Sequence, residues 1–278
     1  MIKTSSFCIA SFNTVSDINI RGTFTEFENG GNSAGVHSYK MSNAEIHNNL
    51  IFNTYNGIYH KESAGIKGAD IYSNVIHDVT LGIKYGVKGN GSSPHIDQTV
   101  SNNLIYNAAK GIHGWAFDAS GYNEGLSIIN NTIDVTTTGI SLEAYKRVDI
   151  LNNIFYKLDR YAISMGATNP NKPTLIEYSN YNCYYETNRF GHYPNRDNVF
   201  YTSVKDWTEA TDLDAQSTIT AEDPFINLAN YTLKSEHPCT TAGIESNGDK
   251  SAPTGANLKG ELIGASFLSR RLIKTDLK

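Results

Sequence analysis

The sequence predicts an all-β protein built as a parallel β-helix, a solenoid in which one chain winds into stacked coils. A motif recurs five times from Ala44 onward and consists of an apolar residue, an Asn-Asn or Ser-Asn pair, a polar gap and Gly-Ile, which becomes Ala-Ile in the last copy. The second Asn falls at residues 49, 74, 103, 131 and 153, so the steps are 25, 29, 28 and 22 residues. Such variation suits coils with loops of different length, whereas a helical repeat keeps a fixed period. Around each Asn pair, β-branched residues alternate with polar ones, as in strands.

Stacking of the repeats is expected because a unit of this length cannot bury its apolar face alone. One interior column is predicted to contain Ile46, Ile71, Val100, Ile128 and Ile150. Asn tolerates the left-handed conformation of a sharp corner, and stacked Asn side chains can hydrogen-bond to each other. We therefore predict one ladder made of Asn49, Asn74, Asn103, Asn131 and Asn153. A second corner is predicted at the glycines Gly35, Gly57, Gly82, Gly111 and Gly139.

Both ends of the solenoid depart from the repeat. Residues 1–16 make a poor signal peptide, because Ser and Asn interrupt the apolar run. About seven coils are predicted from Asp17 to Tyr185, the last one weaker and keeping Ile176 and the pair Ser179-Asn180. The predicted organisation is a single domain, with residues 1–187 forming an N-terminal cap segment and the coils. Residues 188–278 are then an irregular C-terminal segment that packs on the coils.

The overall composition excludes several classes of function. The chain has 278 residues and a net charge of −5, so no basic field favours nucleic acid as a partner. No segment is long enough to span a membrane, and no phosphate loop, zinc spacing or serine-nucleophile motif is present. The odd number of cysteines (Cys8, Cys183 and Cys239) and their wide spacing predict buried thiols.

The C-terminal segment carries a more specific resemblance. Its features are a Trp-centred turn, an Asp-Xaa-Xaa-Ser motif, an Asp-Pro-Phe motif and a late Ile-Gly-Ala, found at Trp207, Asp214 to Ser217, Asp223 to Phe225, and Ile263 to Ala265. With the coils, this segment resembles secreted bacterial right-handed parallel β-helix proteins. The resemblance implies a right-handed helix and an extracellular or cell-surface location. It leaves function open, since that group includes lyases, hydrolases and epimerases.

An outward face of the coils is the candidate site. The residue after each repeat Gly is apolar and points inward, so the second and fourth residues after it point outward. We call these residues the outward stripe: His37, Tyr39, Tyr59, Lys61, Lys84, Gly86, His113, Trp115, Ser141 and Glu143, with Lys88 and Asp118 just beyond. Aromatic rings offer flat faces to sugars, and Lys attracts carboxylates, so the stripe favours an anionic polysaccharide. The alternative interpretation is an ordinary solvated strand face.

A second resemblance suggests a reaction. Tyr59 to Ser63 and Lys84 to Gly86 occupy places similar to the Ser-Xaa-Lys-Ser and Arg-His-Gly motifs of chondroitinase B and related alginate lyases. Lys84 replaces the Arg and Tyr85 the His, and Glu62 is an addition. The resemblance implies β-elimination of a uronate, with a Lys as the base and calcium neutralising the carboxylate.

Two functions follow as hypotheses. The first is a lyase in which Lys61, Lys84 and His113 are catalytic, Lys61 being the base. Its substrate would be held by His37, Tyr39, Tyr59, Lys88, Trp115 and Glu143. The second is a non-catalytic glycan-binding or surface-adhesion module that uses the same stripe. A polysaccharide is the expected partner in both. No cofactor is expected apart from calcium, which is left open together with the oligomeric state.

Overall fold

The structure is a computed structural model. It describes residues 2–3, 8–11, 13–16, 33–39, 41–63, 68–88, 98–116, 123–166, 174–193, 199–228, 231–241, 257–258 and 261–262. The predicted first coil at Asp17–Ile20 and the late Ile263 lie outside these residues.

The described residues form 24 strands and two helices. In chain order the strands are β1 (Ile2–Lys3), β2 (Cys8–Ser11), β3 (Thr14–Ser16), β4 (Ala34–Tyr39), β5 (Ala44–His47), β6 (Leu50–Ser63), β7 (Ala69–Tyr72), β8 (Val75–Lys88), β9 (Gln98–Ser101), β10 (Leu104–Ala116), β11 (Asn123–Ile129), β12 (Thr132–Glu143), β13 (Tyr145–Leu151), β14 (Ile154–Tyr156), β15 (Tyr161–Gly166), β16 (Ile176–Asn180), β17 (Cys183–Tyr185), β18 (Gly191–Tyr193), β19 (Val199–Tyr201), β20 (Thr218–Thr220), β21 (Phe225–Asn227), β22 (Thr232–Leu233), β23 (Asn257–Leu258) and β24 (Glu261–Leu262). The helices are α1 (Val204–Thr211) and α2 (Pro238–Thr241). No described helix is long and apolar enough to cross a membrane.

Two large sheets carry the coils. The smaller one has the order β16-β13-β11-β9-β7-β5-β2, and the larger one follows β1-β4-β6-β8-β10-β12-β14-β17-β20 with β3, β15, β18 and β19 beside this path. Pairing is parallel throughout both sheets except between β18 and β19. Strands that neighbour each other in a sheet are therefore one coil apart in sequence, and the predicted right-handed parallel β-helix is confirmed.

The interior column forms as predicted. Ile46 pairs with Ile71, Ile71 with Val100, Val100 with Ile128, and Ile128 with Ile150. All five side chains are buried in one continuous apolar core. The column forms because a period of two sends every second side chain of these short strands inward.

The asparagine ladder is also confirmed. The backbone N–H and side-chain Nδ2 of Asn49 both donate to Oδ1 of Asn74, over 3.1 and 2.9 Å. The same pair of bonds recurs at each later step of the predicted ladder. Two residues extend it, Asn13 at the start and Asn182 at the end. The prediction aligned the last coil at Ser179-Asn180, which is wrong, because an irregularity between β13 and β16 shifts the pairing and places Asn182 in the ladder.

The corner and the ladder belong to different residues of each pair. The left-handed conformation falls on the first residue of the pair, with φ of 54° at Asn48, 55° at Ser73 and 55° at Asn102. The second residue is buried and makes the ladder bonds. Each pair therefore combines a residue that turns the chain with one that bonds the coils together.

The glycine ladder does not form the second corner, and this prediction is wrong. Among the described glycines only Gly125 has a positive φ. The repeat glycines instead lie where successive coils approach closely: a Cβ on Gly57 would stand 2.6 Å from the carbonyl oxygen of Gly82 and would also meet the side chain of Ile76. The second corner is at left-handed residues of the large sheet, such as Asn53, Asp78 and Asn107.

The end of the ladder is closed by the C-terminal segment. Each ladder Asn donates to the next one, so the last, Asn182, needs acceptors from outside the repeat. Its Nδ2 donates to Oδ1 of buried Asp214 over 2.9 Å, and its backbone N–H donates to Ser217. Asp214 also accepts from Trp207 Nε1, Ser179 and Ser217. The Trp-centred turn and the Asp-Xaa-Xaa-Ser motif therefore form the terminal cap of the ladder.

The Asp-Pro-Phe motif attaches the same segment to the side of the coils. Tyr156 donates a hydrogen bond to Asp223 over 2.8 Å, and the ring of Phe225 meets the Tyr156 ring edge-on at 5.2 Å. Tyr231 packs against Tyr106 and donates a hydrogen bond to Asp134. These contacts agree with the expected packing of the segment on the coils, while the division of the chain at residue 187 stays a prediction.

The prediction of buried thiols is wrong for two of the cysteines. Cys183 and Cys239 form a disulfide, with Cα atoms 5.4 Å apart. It links strand β17 of the last coil to helix α2, inside a small core that also contains Phe225 and Leu233. Sequence spacing did not indicate it because the two residues are 56 positions apart and meet only when the C-terminal segment folds back.

Candidate functional site

The outward stripe follows two columns of the large sheet. The strand pairing places His37 beside Tyr59, Tyr59 beside Lys84, and Lys84 beside His113. The same column continues through Ser141 and Ser164 to His192. A parallel column places Tyr39 beside Lys61, Lys61 beside Gly86, and Gly86 beside Trp115. Neighbours in a column are about 4.8 Å apart, so the stripe is one continuous surface along the helix axis.

Lys84 lies at the centre of this surface, between two aromatic rings. Its Nζ is 4.6 Å from the centre of the Tyr59 ring and 5.0 Å from that of Trp115. The residue is only 7% exposed and, among the described residues, has no carboxylate partner. Burial lowers the pKa of Lys84 from 10.5 to about 8, assisted by the positive charges of Lys61 and Lys110. A lysine of this kind exchanges its proton close to neutral pH.

Tyr59 is fully buried in the stripe although it occupies an outward position. Its ring stacks on His37 at 5.1 Å with an interplanar angle of 4°, and its hydroxyl lies over Gly86. Any Cβ at Gly86 would collide with that hydroxyl at 2.5 Å, so glycine is required for the ring to lie flat. The Tyr59 hydroxyl has no hydrogen-bond partner among the described residues, and burial raises its pKa to about 12. At neutral pH this hydroxyl is therefore protonated and has an unused hydrogen-bond donor.

The two histidines beside these residues are neutral at physiological pH. Burial, together with the positive charges of Lys110 and Lys84, lowers the pKa of His113 to about 3. Burial and the charge of Lys61 lower the pKa of His37 to about 4. Neutral imidazoles bind by hydrogen bonding and stacking, so the positive charge of the stripe comes from its lysines.

The remaining predicted residues are distributed along the stripe. Lys61 places its Nζ 5.9 Å from the rings of both Tyr39 and Tyr59. Glu143 pairs with Gly166 on the next coil, beyond Trp115. Lys88 belongs to strand β8, but its side chain and the whole of Asp118 lie outside the described residues. His60, inside the Tyr59 to Ser63 motif, is turned into the coil interior and bonds to Ser38, so it is not part of the stripe.

One contributor was missed by the sequence analysis. Lys110 lowers the pKa of both Lys84 and His113, and its position directly before Gly111 in the repeat was a usable signal. Gly86 was placed in the stripe, but its role in making room for the Tyr59 ring depends on how far that ring reaches across the neighbouring strand.

No metal centre is formed by the described residues, in which no group of three or more His, Cys, Asp or Glu side chains is placed to hold an ion. Calcium binding, which the sequence left open, stays a prediction.

The comparisons with individual proteins do not indicate a function for this chain. No curated protein matches the chain. A solved structure, XylC in complex with xylose, aligns with a TM-score of 0.32 and 17% identity over 71% of this chain. The alignment spans 37% of the XylC chain, and at this TM-score it leads to no conclusion. The resemblance to chondroitinase B stays a prediction.

The family comparison is informative because it covers the coils themselves. The model of the NosD family, described as periplasmic copper-binding protein (NosD), matches residues 13–190. These residues run from the first ladder residue, Asn13, to the coil that follows Asn182. The match thus covers more than half of the chain and the whole of the outward stripe, and the chain belongs to the NosD family.

Proposed function

We propose that the outward stripe binds an anionic, uronate-containing polysaccharide and cleaves it by β-elimination, with Lys84 as the base. The observation that carries the proposal is Lys84 itself, held between the rings of Tyr59 and Trp115 with a pKa of about 8 and no carboxylate partner among the described residues. A structural lysine is normally paired or solvated, whereas a perturbed one in an aromatic setting is typical of functional sites.

The assignment of the base differs from the expectation that placed it at Lys61. A general base must be neutral when it acts, and it works best with a pKa near the working pH. The lowered pKa falls on Lys84, chiefly because its amine is buried between two rings. Lys61, at the more open edge of the stripe, is then suited to hold the substrate carboxylate as a point charge.

The reaction we propose needs only groups of the stripe. Neutral Lys84 takes the proton from the carbon next to the uronate carboxylate, which Lys61 holds. The electron pair of the broken C–H bond forms a carbon–carbon double bond, and the bond to the glycosidic oxygen breaks. The Lys84 ammonium then supplies a proton to the leaving oxygen. Neutral His37 and His113 contribute hydrogen bonds to sugar hydroxyls.

Copper binding does not extend to this chain in our proposal, although it is part of the family's description. The described residues contain no group of three or more His, Cys, Asp or Glu side chains placed to hold an ion, and the disulfide removes Cys183 and Cys239 as thiolates. We do adopt the periplasmic location in that description. It is supported by the disulfide, because such bonds persist in oxidising compartments and not in the cytosol.

The test is a panel of polyuronates (polygalacturonate, alginate and chondroitin sulfate) assayed at low salt for binding and for ultraviolet absorbance of the new double bond. K84M is expected to abolish turnover. K157M is the matched control, because Lys157 also lies over two rings, Tyr156 and Tyr185, but on another face of the coils. Binding should weaken as salt increases, since the charges are partly exposed.

Two results would change the conclusion. Binding that depends on the stripe without any turnover would indicate the non-catalytic glycan-binding module, which the packing of Lys84 between two rings also suits. Absence of binding to every polyuronate at low salt would refute both functions and leave the stripe as an ordinary strand face.

A further inference from the structure

A cluster of aromatic rings stands at the C-terminal end of the outward stripe. The ring of His192 is 4.5 Å from that of Tyr161 and 4.8 Å from that of Phe200. Tyr161 and Phe200 are 5.6 Å apart and nearly parallel, with an interplanar angle of 2°. The three rings thus share one orientation, and we call them the terminal platform. None of them belongs to the stripe residues predicted from the sequence.

The terminal platform is continuous with the centre of the stripe. His192 lies in the same column as Lys84, four strand spacings away, which is about 19 Å along the helix axis. Between them the column contains His113 and two small residues, Ser141 and Ser164. Because Ser141 and Ser164 have small side chains, this column carries no large side chain between His113 and His192, which favours an extended ligand lying along it.

Charge and exposure at the terminal platform match an acidic sugar. Phe200 is 41% exposed, which costs free energy unless a ligand or partner covers the ring. The guanidinium carbon of Arg189 is 5.0 Å from the Phe200 ring and 5.7 Å from the Tyr161 ring. Within the described part of the chain Arg189 forms no ion pair with a carboxylate. A uronate ring stacked on the platform would place its carboxylate near a guanidinium, which recognises carboxylates with two parallel hydrogen bonds.

We infer that the terminal platform is a second sugar-binding subsite, which takes a uronate unit of a chain lying along the helix axis from Lys84. This inference rests on the proposed function, because it assigns the far end of the same ligand. It also specifies that ligand: the polysaccharide must be long enough to reach both places and must carry acidic units several residues apart.

The experiment compares short and long ligands on matched variants. Dimers and hexamers of galacturonate and of alginate are titrated into the wild-type protein and the variants F200A, R189Q and I226A. Ile226 is the control, because it is an exposed apolar residue of the C-terminal segment away from the stripe. F200A should weaken hexamer binding roughly three- to tenfold and leave dimer binding unchanged. R189Q should do the same and should also reduce the salt dependence of hexamer binding.

The outcomes separate this inference from the proposed function. Hexamer binding by the wild type that F200A and R189Q leave unchanged would overturn the subsite while the proposed function stands. Equal losses for dimer and hexamer would also overturn it, since the platform would then not be a distant subsite. If the wild type binds neither hexamer, the proposed function fails and the subsite with it. Melting temperatures within error of the wild type would show that the variants are folded.

Discussion

Replacing Lys84 with methionine is expected to stabilise the protein at neutral pH but not at strongly alkaline pH. The pKa of Lys84 falls from 10.5 to about 8 in the folded protein, chiefly because the amine is buried. Each unit of pKa corresponds to 1.36 kcal/mol between the two protonation states, so the protonated amine costs the folded state about 3 kcal/mol. Methionine has a similar length and no charge, and it can keep the contacts with Tyr59 and Trp115.

The pH window follows from the two pKa values. Below about pH 8 the amine is protonated in both the folded and the unfolded state, and the full cost is present. Between pH 8 and 10.5 the unfolded chain binds more protons than the folded one, so the stability of the wild type rises with pH. Above this window both states are neutral at this residue and the cost disappears.

Urea unfolding of the wild type, K84M and K157M at pH 7 and pH 10 measures the effect. The stability difference between K84M and the wild type should shrink by about 2–3 kcal/mol between the two pH values. K157M should show no comparable change, because the Lys157 side chain is 44% exposed and pairs with Glu186. A difference that stays constant with pH would refute the burial of a titrating amine at this place, and with it the reason for assigning the base to Lys84.

Three further predictions concern the ladder and the packing of the coils, each measured by urea unfolding. Asn103→Ala removes the hydrogen-bond partners of a buried backbone amide and a buried carbonyl. Each loss should lower the stability by about 1–3 kcal/mol. Asn102→Gly, at a left-handed corner, should change the stability little. Similar losses of stability for the Asn102 and Asn103 variants would contradict the assignment of the corner to the first residue of each pair and of the ladder bonds to the second. Asp214→Ala removes the terminal acceptor and should cost at least ~2 kcal/mol, so a neutral result would show that the cap is not structural. Gly57→Ala places a methyl group 2.6 Å from the Gly82 oxygen and should cost about 1–3 kcal/mol, whereas an unchanged midpoint would show that the coils can separate there.

Activity should also report the pKa of Lys84. If the neutral amine is the base, the rate at limiting substrate should rise with pH and level off above about 8. The expected measurement is the initial rate of double-bond formation across this range, with K157M as the control. A rate that is flat or falls through the same range would exclude a neutral Lys84 as the base.

The architecture of the coils was predictable because it is a local pattern repeated many times. A period of two decides which side chains of a short strand point inward, and a recurring Asn pair marks where each coil turns. Stacking follows from the same pattern, because each coil contacts the equivalent residues of the next coil. The interior column from Ile46 to Ile150 and the ladder from Asn49 to Asn153 therefore follow from spacing alone.

Predictions failed where contacts join segments without a repeat. The Cys183–Cys239 disulfide and the role of Asp214 depend on how the C-terminal segment folds back, and no periodicity describes that path. The sequence predicts a corner at the glycine ladder because glycine permits a positive φ, but in the structure the absent Cβ matters for the close approach of the coils. A sequence shows that a glycine is present without showing which of its two properties is used.

The candidate site was also predictable only in part. The sequence by itself determined which residues share the outward face, because alternation and stacking place His37, Tyr59, Lys84 and His113 in one column. Only the tertiary structure decided that Tyr59 lies flat over Gly86 and that the Lys84 amine is buried between two rings. Burial shifts a pKa through the surroundings of one atom, and those surroundings depend on the directions of side chains from several coils, which a pattern of outward positions does not specify.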